Sequence, residues 1–276
     1  MAPEIFIGRL TLTGINNQSG VLDNYLNKDI SYRSQTNNLP PRALVFVDDD
    51  WIPWAQEWAG NVALIYKDTA DYWNSDTTTA EIYTEKLKNP QAWVSVFVHS
   101  SPDRHYFVYS LGYSYYFGSY YYTQDPPANF YNHFACSFAR YTEDQCGSAM
   151  SIFNQSHGLG AIGSTKAGSM LDFYYFYQPL GQAKSIGQAF KSWFAAEIAD
   201  GIDVYDLSWF YGMTLLGDPF LKPLNTGCYL DFFFPQGGEI FNESDTVKIK
   251  WLRFGTNTVY RYALLYSTDG GATFPG

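Results

Sequence analysis

Trp93-Val94-Ser95-Val96-Phe97-Val98-His99 is a near-continuous apolar run that stops on a histidine. Its apolar positions do not alternate, so a strand made from it has to be covered on both faces. That is the condition of an interior strand in a parallel sheet held between helical layers. Comparable runs lie on either side: Ala43-Leu44-Val45-Phe46-Val47, then Val62-Ala63-Leu64-Ile65-Tyr66, then residues 130 to 135 leading to Cys136, then Gly158 to Gly163. Glu4 to Gly8 reads as a further strand closed by glycine. Helical patterns separate these runs, at 19–28, 145–156, 181–200 and 205–213. Another helix opens near Thr78, where Thr78-x-x-Glu81 has capping-box spacing, and stops before Pro90. The alternation predicts an α/β fold with a mainly parallel sheet covered on both faces. Leu216-Gly217-Asp218-Pro219 reads as a sharp turn that closes it.

Beyond Asn225 the pattern becomes all-β. Thr246 to Trp251 alternates with period two, Tyr260 to Tyr266 is a second run, and Ser267 to Gly271 carries hairpin-turn residues. The reading is a domain over 1–225 and a second, truncated β-sandwich over 226–276.

Of the 276 residues, 46% are hydrophobic and 16% charged, enough apolar material for a sizeable core. No stretch has the length of apolar sequence that a membrane-spanning helix needs. Seventeen basic against 27 acidic residues give a net charge of -10, the wrong sign for a nucleic-acid or anionic-membrane binder. Aromatics reach 19%, with few lysines, a composition that suits a secreted or bacterial cell-surface protein. Met1-Ala2-Pro3 lacks the basic and apolar regions of a signal peptide, so the compartment is not readable there. Three cysteines cannot all pair within the chain.

His99 and Cys136 are the candidate chemical pair. Each follows an apolar run, and in an open parallel sheet the C-terminal strand ends face the ligand crevice. If the two strands are neighbours, an imidazole and a thiol share one edge, and the imidazole can take the thiol proton. Cys146 and Cys228 read as structural. His105, after the Pro102-Asp103-Arg104 turn, is a loop histidine that could line the cleft; His133 points to the face opposite Cys136. No histidine pair has the spacing of a zinc helix. Asp48, Asp49 and Asp50 repel one another unless solvated or bound to a cation, and calcium suits oxygen ligands. Tyr113 to Tyr122 holds six tyrosines in ten residues and reads either as an aromatic wall beside the cleft or as a packed hairpin.

These motifs resemble the caspase-like clan of cysteine peptidases, and within it the gingipain-like family, peptidase family C25. Pro3 to Arg9 is similar to that family's strand ending in valine-glycine-arginine, and Leu44 to Asp49 to its strand ending in aspartates. Phe134-Ala135-Cys136 matches the nucleophile block, Gly160 to Ser164 the strand after it, and Leu215 to Leu221 the closing block. The resemblance covers residues 3 to 222 and implies a caspase-like α/β/α sandwich followed by an immunoglobulin-like segment. It implies a cysteine endopeptidase with a His99–Cys136 dyad, acting on protein or peptide substrates and requiring no cofactor; a structural calcium is an expectation of the Asp48 to Asp50 cluster alone. The backbone N–H groups of Ser100 and Cys136 would bind the oxyanion, with Asp103, His105 and Tyr116 as candidate substrate contacts. Ser100 departs from the family's usual glycine. The alternative is therefore a pseudopeptidase that keeps the fold as a surface binding or adhesion module. Ser267 to Phe274 resembles an Asp-box hairpin of secreted bacterial proteins.

Overall fold

All seven residues of Gln91–Phe97 are buried, and this strand sits inside a six-stranded sheet. The structure, a computed structural model, describes residues 5–37, 39–201, 203–223, 229–234, 239–242 and 244–254. The chain divides into two compact units, Met1–Asn225 and Thr226–Gly276.

The first unit opens with α1 (Gln18–Arg33), β1 (Arg42–Val47), a 3-10 turn at Asp49–Trp51, α2 (Ile52–Val62), β2 (Asp68–Tyr72) and α3 (Ala80–Leu87). Then come β3 (Gln91–Phe97), β4 (His99–Ser101), β5 (Arg104–Tyr109), β6 (Gly112–Phe117), α4 (Gly118–Gln124) and β7 (Ala128–Phe134). It closes with α5 (Gly147–Ile152), β8 (Gly160–Ser164), α6 (Tyr174–Gly181), α7 (Ile186–Asp200), α8 (Val204–Phe210) and β9 (Met213–Gly217). The main sheet runs β2-β1-β3-β7-β8-β9, parallel except for the β8/β9 pair. Alternate residues of its strands feed two cores. Val45, Val47, Trp93 and Phe97 pack with Trp58 of α2, Tyr177 of α6 and Trp193 of α7. Leu44, Phe46, Val94 and Val96 pack with Tyr83 of α3, Tyr121 of α4 and Ile152 of α5. The expected α/β/α sandwich is therefore the observed one.

Local chemistry moves several boundaries. The Thr78 hydroxyl donates to Asp49 Oδ1 at 2.9 Å, so Thr79 caps α3 instead, accepting from the Ile82 N–H. The helix expected over 181–200 starts later, at Ile186, because Ser185 and Gln188 form a reciprocal capping box there, and a separate unexpected helix, α6, precedes it. Val62 to Tyr66 is not a strand. The N–H groups of Ala63, Leu64 and Ile65 bond back to Ala59, Asn61 and Val62, ending α2 in turns. The strand is the more polar Asp68–Tyr72 at the sheet edge. Residues 5–8 are not a strand either: only Arg9 bridges to Leu216, and Ile5 and Ile7 are exposed. The expected helix over 145–156 contracts to Gly147–Ile152, and the one over 205–213 ends at Phe210 so that Met213–Gly217 can join the sheet antiparallel to β8.

In the second unit β10 (Tyr229–Phe234) pairs antiparallel with β11 (Lys250–Phe254). Thr246 to Ile249, read as part of a strand, precede β11 without joining it. Cys228 and the runs after residue 254 lie outside the described residues.

Strands β4, β5 and β6 form a separate antiparallel sheet whose inner face is buried. Beneath it His105 stacks on Phe138 at 3.8 Å between ring centroids and lies 5.6 Å from His133. Burial pushes His133 down to about 3 and His105 well below the ordinary histidine value. Both stay neutral in the folded state, whereas the unfolded chain takes up protons below about pH 6.5. Their contribution to stability therefore falls on acidification, with a limiting slope of about 1.4 kcal/mol per histidine per pH unit, opposed in part by any buried carboxyl whose pKa is raised. Thermal unfolding from pH 7 to pH 5 should show a falling midpoint, and His133→Leu should make that fall shallower; equal slopes would remove His133 from this account.

Candidate active site

Parallel pairing sets Val47, Phe97 and Phe134 side by side at the ends of β1, β3 and β7. The pairing continues one residue further: the Asp48 N–H reaches the Phe97 carbonyl at 2.9 Å and the Val98 N–H the Phe134 carbonyl at 3.0 Å. His99 and Cys136 then follow Phe97 and Phe134 by the same two residues, on strands spaced about 4.8 Å apart. The imidazole and the thiol leave the sheet at one level of one edge.

A third residue comes from the 3-10 turn that follows β1. Asp50 Oδ2 lies 2.9 Å from His99 Nε2, and both side chains are about half exposed. The Trp51 ring packs at 5.5 Å from the imidazole and 5.1 Å from Phe134, holding the imidazole plane. With Nε2 engaged by the carboxylate, Nδ1 is the ring nitrogen left for other chemistry. Sequence reading placed Asp50 among cation ligands and missed this partnership. The signal that could have found it is position: an aspartate just past a strand end, as His99 and Cys136 are.

The loop carrying Cys136 is pinned from several sides. Ser100 Oγ donates to the Cys136 carbonyl oxygen. The Gly168 N–H points at Cys136 Sγ from 3.5 Å. Gly168 has φ +117°, and a Cβ there would lie 2.2 Å from the Trp209 carbonyl oxygen, so only glycine can present this N–H. Ser137 sits at φ 60°, a left-handed conformation costing a non-glycine residue about 1–3 kcal/mol. Its N–H donates to the Lys166 carbonyl at 2.8 Å, and Arg140 grips its hydroxyl at 2.9 Å. The β4–β5 hairpin turns in two residues, with Ser101 opposite Arg104. Alternation along such a ladder makes Ser100 and His105 a non-hydrogen-bonded pair, which turns the Ser100 N–H away from β5.

Asp48, Asp49 and Asp50 point apart. Buried Asp48 accepts from the Val108 N–H at 3.0 Å, and burial pushes its carboxyl up to about 6. Asp49 takes the Ser75 hydroxyl at 3.1 Å and the Thr78 hydroxyl at 2.9 Å. Among the described residues no three His, Cys, Asp or Glu side chains converge as a metal site. Two expected substrate contacts are corrected: His105 and Tyr116 are fully buried on the inner face of the small sheet, where packing against Tyr121 and Phe138 places them. Asp103 sits in the hairpin turn and is held by Arg104 and Ser101, which keep its carboxyl below the usual range. The tyrosine-rich segment satisfies both of its readings. Tyr116 and Tyr121 are core, while Tyr113 and Tyr115 line a cleft of about 560 Å³ with Asp50, His99, Tyr106 and Val108.

Cys146, at the start of α5, is buried, and its thiol donates to the Phe138 carbonyl at 3.2 Å.

The family model for peptidase family C25 matches residues 1–224. The crystal structure of the Arg-specific cysteine proteinase gingipain R is similar in fold, with TM-score 0.61 and 13% identity over 84% of this chain and 59% of that one. A complex of Porphyromonas gingivalis RgpB pro- and mature domains gives TM-score 0.60 and 14% identity over 84% and 60%. A further solved structure, titled as that of a protease, gives TM-score 0.55 and 14% identity over 83% and 59%. The chain thus spans about three-fifths of the length of the structures it matches. Comparison with curated proteins finds no match.

Burial pushes the Cys146 thiol up to about 11, whereas Cys136 is only partly buried. Limiting iodoacetamide near neutral pH should therefore alkylate Cys136 well before Cys146, with peptide mapping as the readout. Gly168→Ala should change the Cys136 rate and leave the Cys146 rate alone. Equal labelling of the two thiols in the wild type would contradict this geometry.

Proposed function

The chain belongs to peptidase family C25, and from that premise we propose that it is a cysteine endopeptidase built on His99 and Cys136. The observation that carries the proposal is that His99 and Cys136 follow a level pair of neighbouring parallel strand ends by the same two residues, with the imidazole held at 2.9 Å by Asp50 from the turn after the next strand. In this mechanism His99 Nδ1 takes the Cys136 thiol proton as the sulfur attacks the scissile carbonyl carbon. The carbonyl oxygen becomes an oxyanion that accepts from the Ser100 and Cys136 N–H groups, each donor contributing about 2.7–4 kcal/mol in comparable sites. When the carbon–nitrogen bond breaks, the imidazolium gives its proton to the leaving amine. A water, deprotonated by the same imidazole, then hydrolyses the thioester and restores the thiol. Asp50 holds the ring orientation and stabilises the transient imidazolium.

The main rival is a pseudopeptidase, and one observation favours it. Ser100 replaces the glycine usual in the family, and its hydroxyl is bonded to the Cys136 carbonyl, which ties the nucleophile's peptide unit to the histidine strand. We place the protein outside the cytoplasm on its aromatic-rich, lysine-poor composition, with proteins or peptides as substrates. Among the described residues no helix is long and apolar enough to cross a membrane.

Digestion of a peptide library should yield defined cleavage products that vanish with Cys136→Ala. His99→Ala should lower kcat by roughly 10²–10⁴-fold. Asp50→Ala should cost less, roughly ten- to a hundredfold, because a half-exposed carboxylate is partly screened by water. Products that persist in Cys136→Ala would refute the dyad. Silence in the wild type, relieved by Ser100→Gly, would locate the defect in the oxyanion site.

A further inference from the structure

The small β4-β5-β6 sheet has two unlike faces, and one belongs to the site. Facing residues in its register lie on the same side. His99 stands opposite Tyr106, and Tyr106 opposite Tyr115, so one row joins the imidazole to two tyrosines. Val108 opposite Tyr113 makes the next row. The reverse face holds buried His105, Phe107, Ser114 and Tyr116. Tyr113 and Tyr115 remain 58% and 46% exposed, the only large side chains of β6 that a ligand can reach on this face besides its end residue Phe117. Tyr106 and Tyr115 meet edge to face at 5.4 Å. These rows wall the cleft of about 560 Å³ that opens on Asp50 and His99.

The lining decides what the cleft can hold. Among the described residues it is lined by no lysine or arginine, and by one carboxylate, Asp50, which is engaged by His99. Arg104, next along the same face of β5, is held by Asp103 and lies over the Phe117 ring at 4.8 Å. A charged side chain entering here would lose water without finding an uncommitted opposite charge. An aromatic or large aliphatic side chain would bury apolar area against three tyrosine rings and Val108. The cleft also has a direction. It is lined by the imidazole and not by Cys136, and the imidazole is the group that hands a proton to the leaving amine.

We propose that this tyrosine-walled cleft binds an aromatic or large aliphatic side chain of the substrate on the leaving-group side of the scissile bond. The proposal rests on the peptidase reading and adds a substrate class to it.

The test uses peptides that share one N-terminal half, chosen from the library cleavage sites, and carry Phe, Leu, Ala, Lys or Asp just after the scissile bond. The expected result is a kcat/KM at least about tenfold higher for Phe than for Lys, expressed mainly in KM. Tyr113→Ala/Tyr115→Ala should bring that ratio close to one, and Tyr113→Phe/Tyr115→Phe should retain it. A general loss of folding would lower every peptide alike and leave the ratio standing. Wild-type cleavage without the Phe preference, or a preference untouched by the double alanine variant, overturns the proposal and spares the peptidase reading. If the wild type cleaves nothing, the peptidase reading fails and binding decides. Calorimetric titration of Cys136→Ala with free-amino peptides beginning Phe or Lys should then favour Phe, and lose that preference in the tyrosine variant. Equal affinity for the two peptides overturns the proposal.

Discussion

The register shared by β1, β3 and β7 is the constraint on which the rest depends. Val47, Phe97 and Phe134 lie level, so residues a few positions beyond them emerge at one edge. A slip of one residue in either pairing would turn the strand's side chains to the other face and separate Asp50, His99 and Cys136. Aromatic packing makes that slip costly. Trp58 stacks on Phe97 at 4.6 Å and meets Phe134 at 5.0 Å, while Trp51 bridges Phe134 and the imidazole. The same rings that fill one core therefore hold the candidate site in alignment.

The small antiparallel sheet is joined to that edge by a buried carboxylate. Asp48, one residue past β1, accepts the Val108 N–H, fastening β5 to the end of the main sheet. Burial at this point raises its pKa to about 6, against its attraction to the Val108 N–H and to His99. The sheet then divides its aromatic residues by period two. One set packs with His105 and His133 in a buried interior; the other faces the cleft beside His99. Stability and recognition are thus drawn from alternate residues of the same strands.

Much of the fold was legible because two-sided burial leaves a plain trace. Ala43 to Val47 and Trp93 to Val98 are unbroken apolar runs, and both are interior strands of the parallel sheet. Where a run could serve two elements, the sequence was ambiguous. Val62 to Tyr66 is as apolar as a strand yet ends a helix, with Val62, Ile65 and Tyr66 facing the core from a turn. Met213 to Gly217 was hidden between a helical pattern and the Leu216-Gly217-Asp218-Pro219 turn, and its antiparallel pairing with β8 depends on residues some 50 positions away.

By itself the sequence determined the α/β class, the strands that carry His99 and Cys136, and the motifs of peptidase family C25. These are local properties, written in the periodicity and identity of neighbouring residues. Only the tertiary structure decided that Asp50 meets His99, that Gly168 faces the Cys136 sulfur, and that His105 and Tyr116 are core while Tyr113 and Tyr115 line the cleft. The reason is physical. Each of these outcomes depends on which strands pair and which face a ring turns to, and both are set by packing between segments remote in the chain.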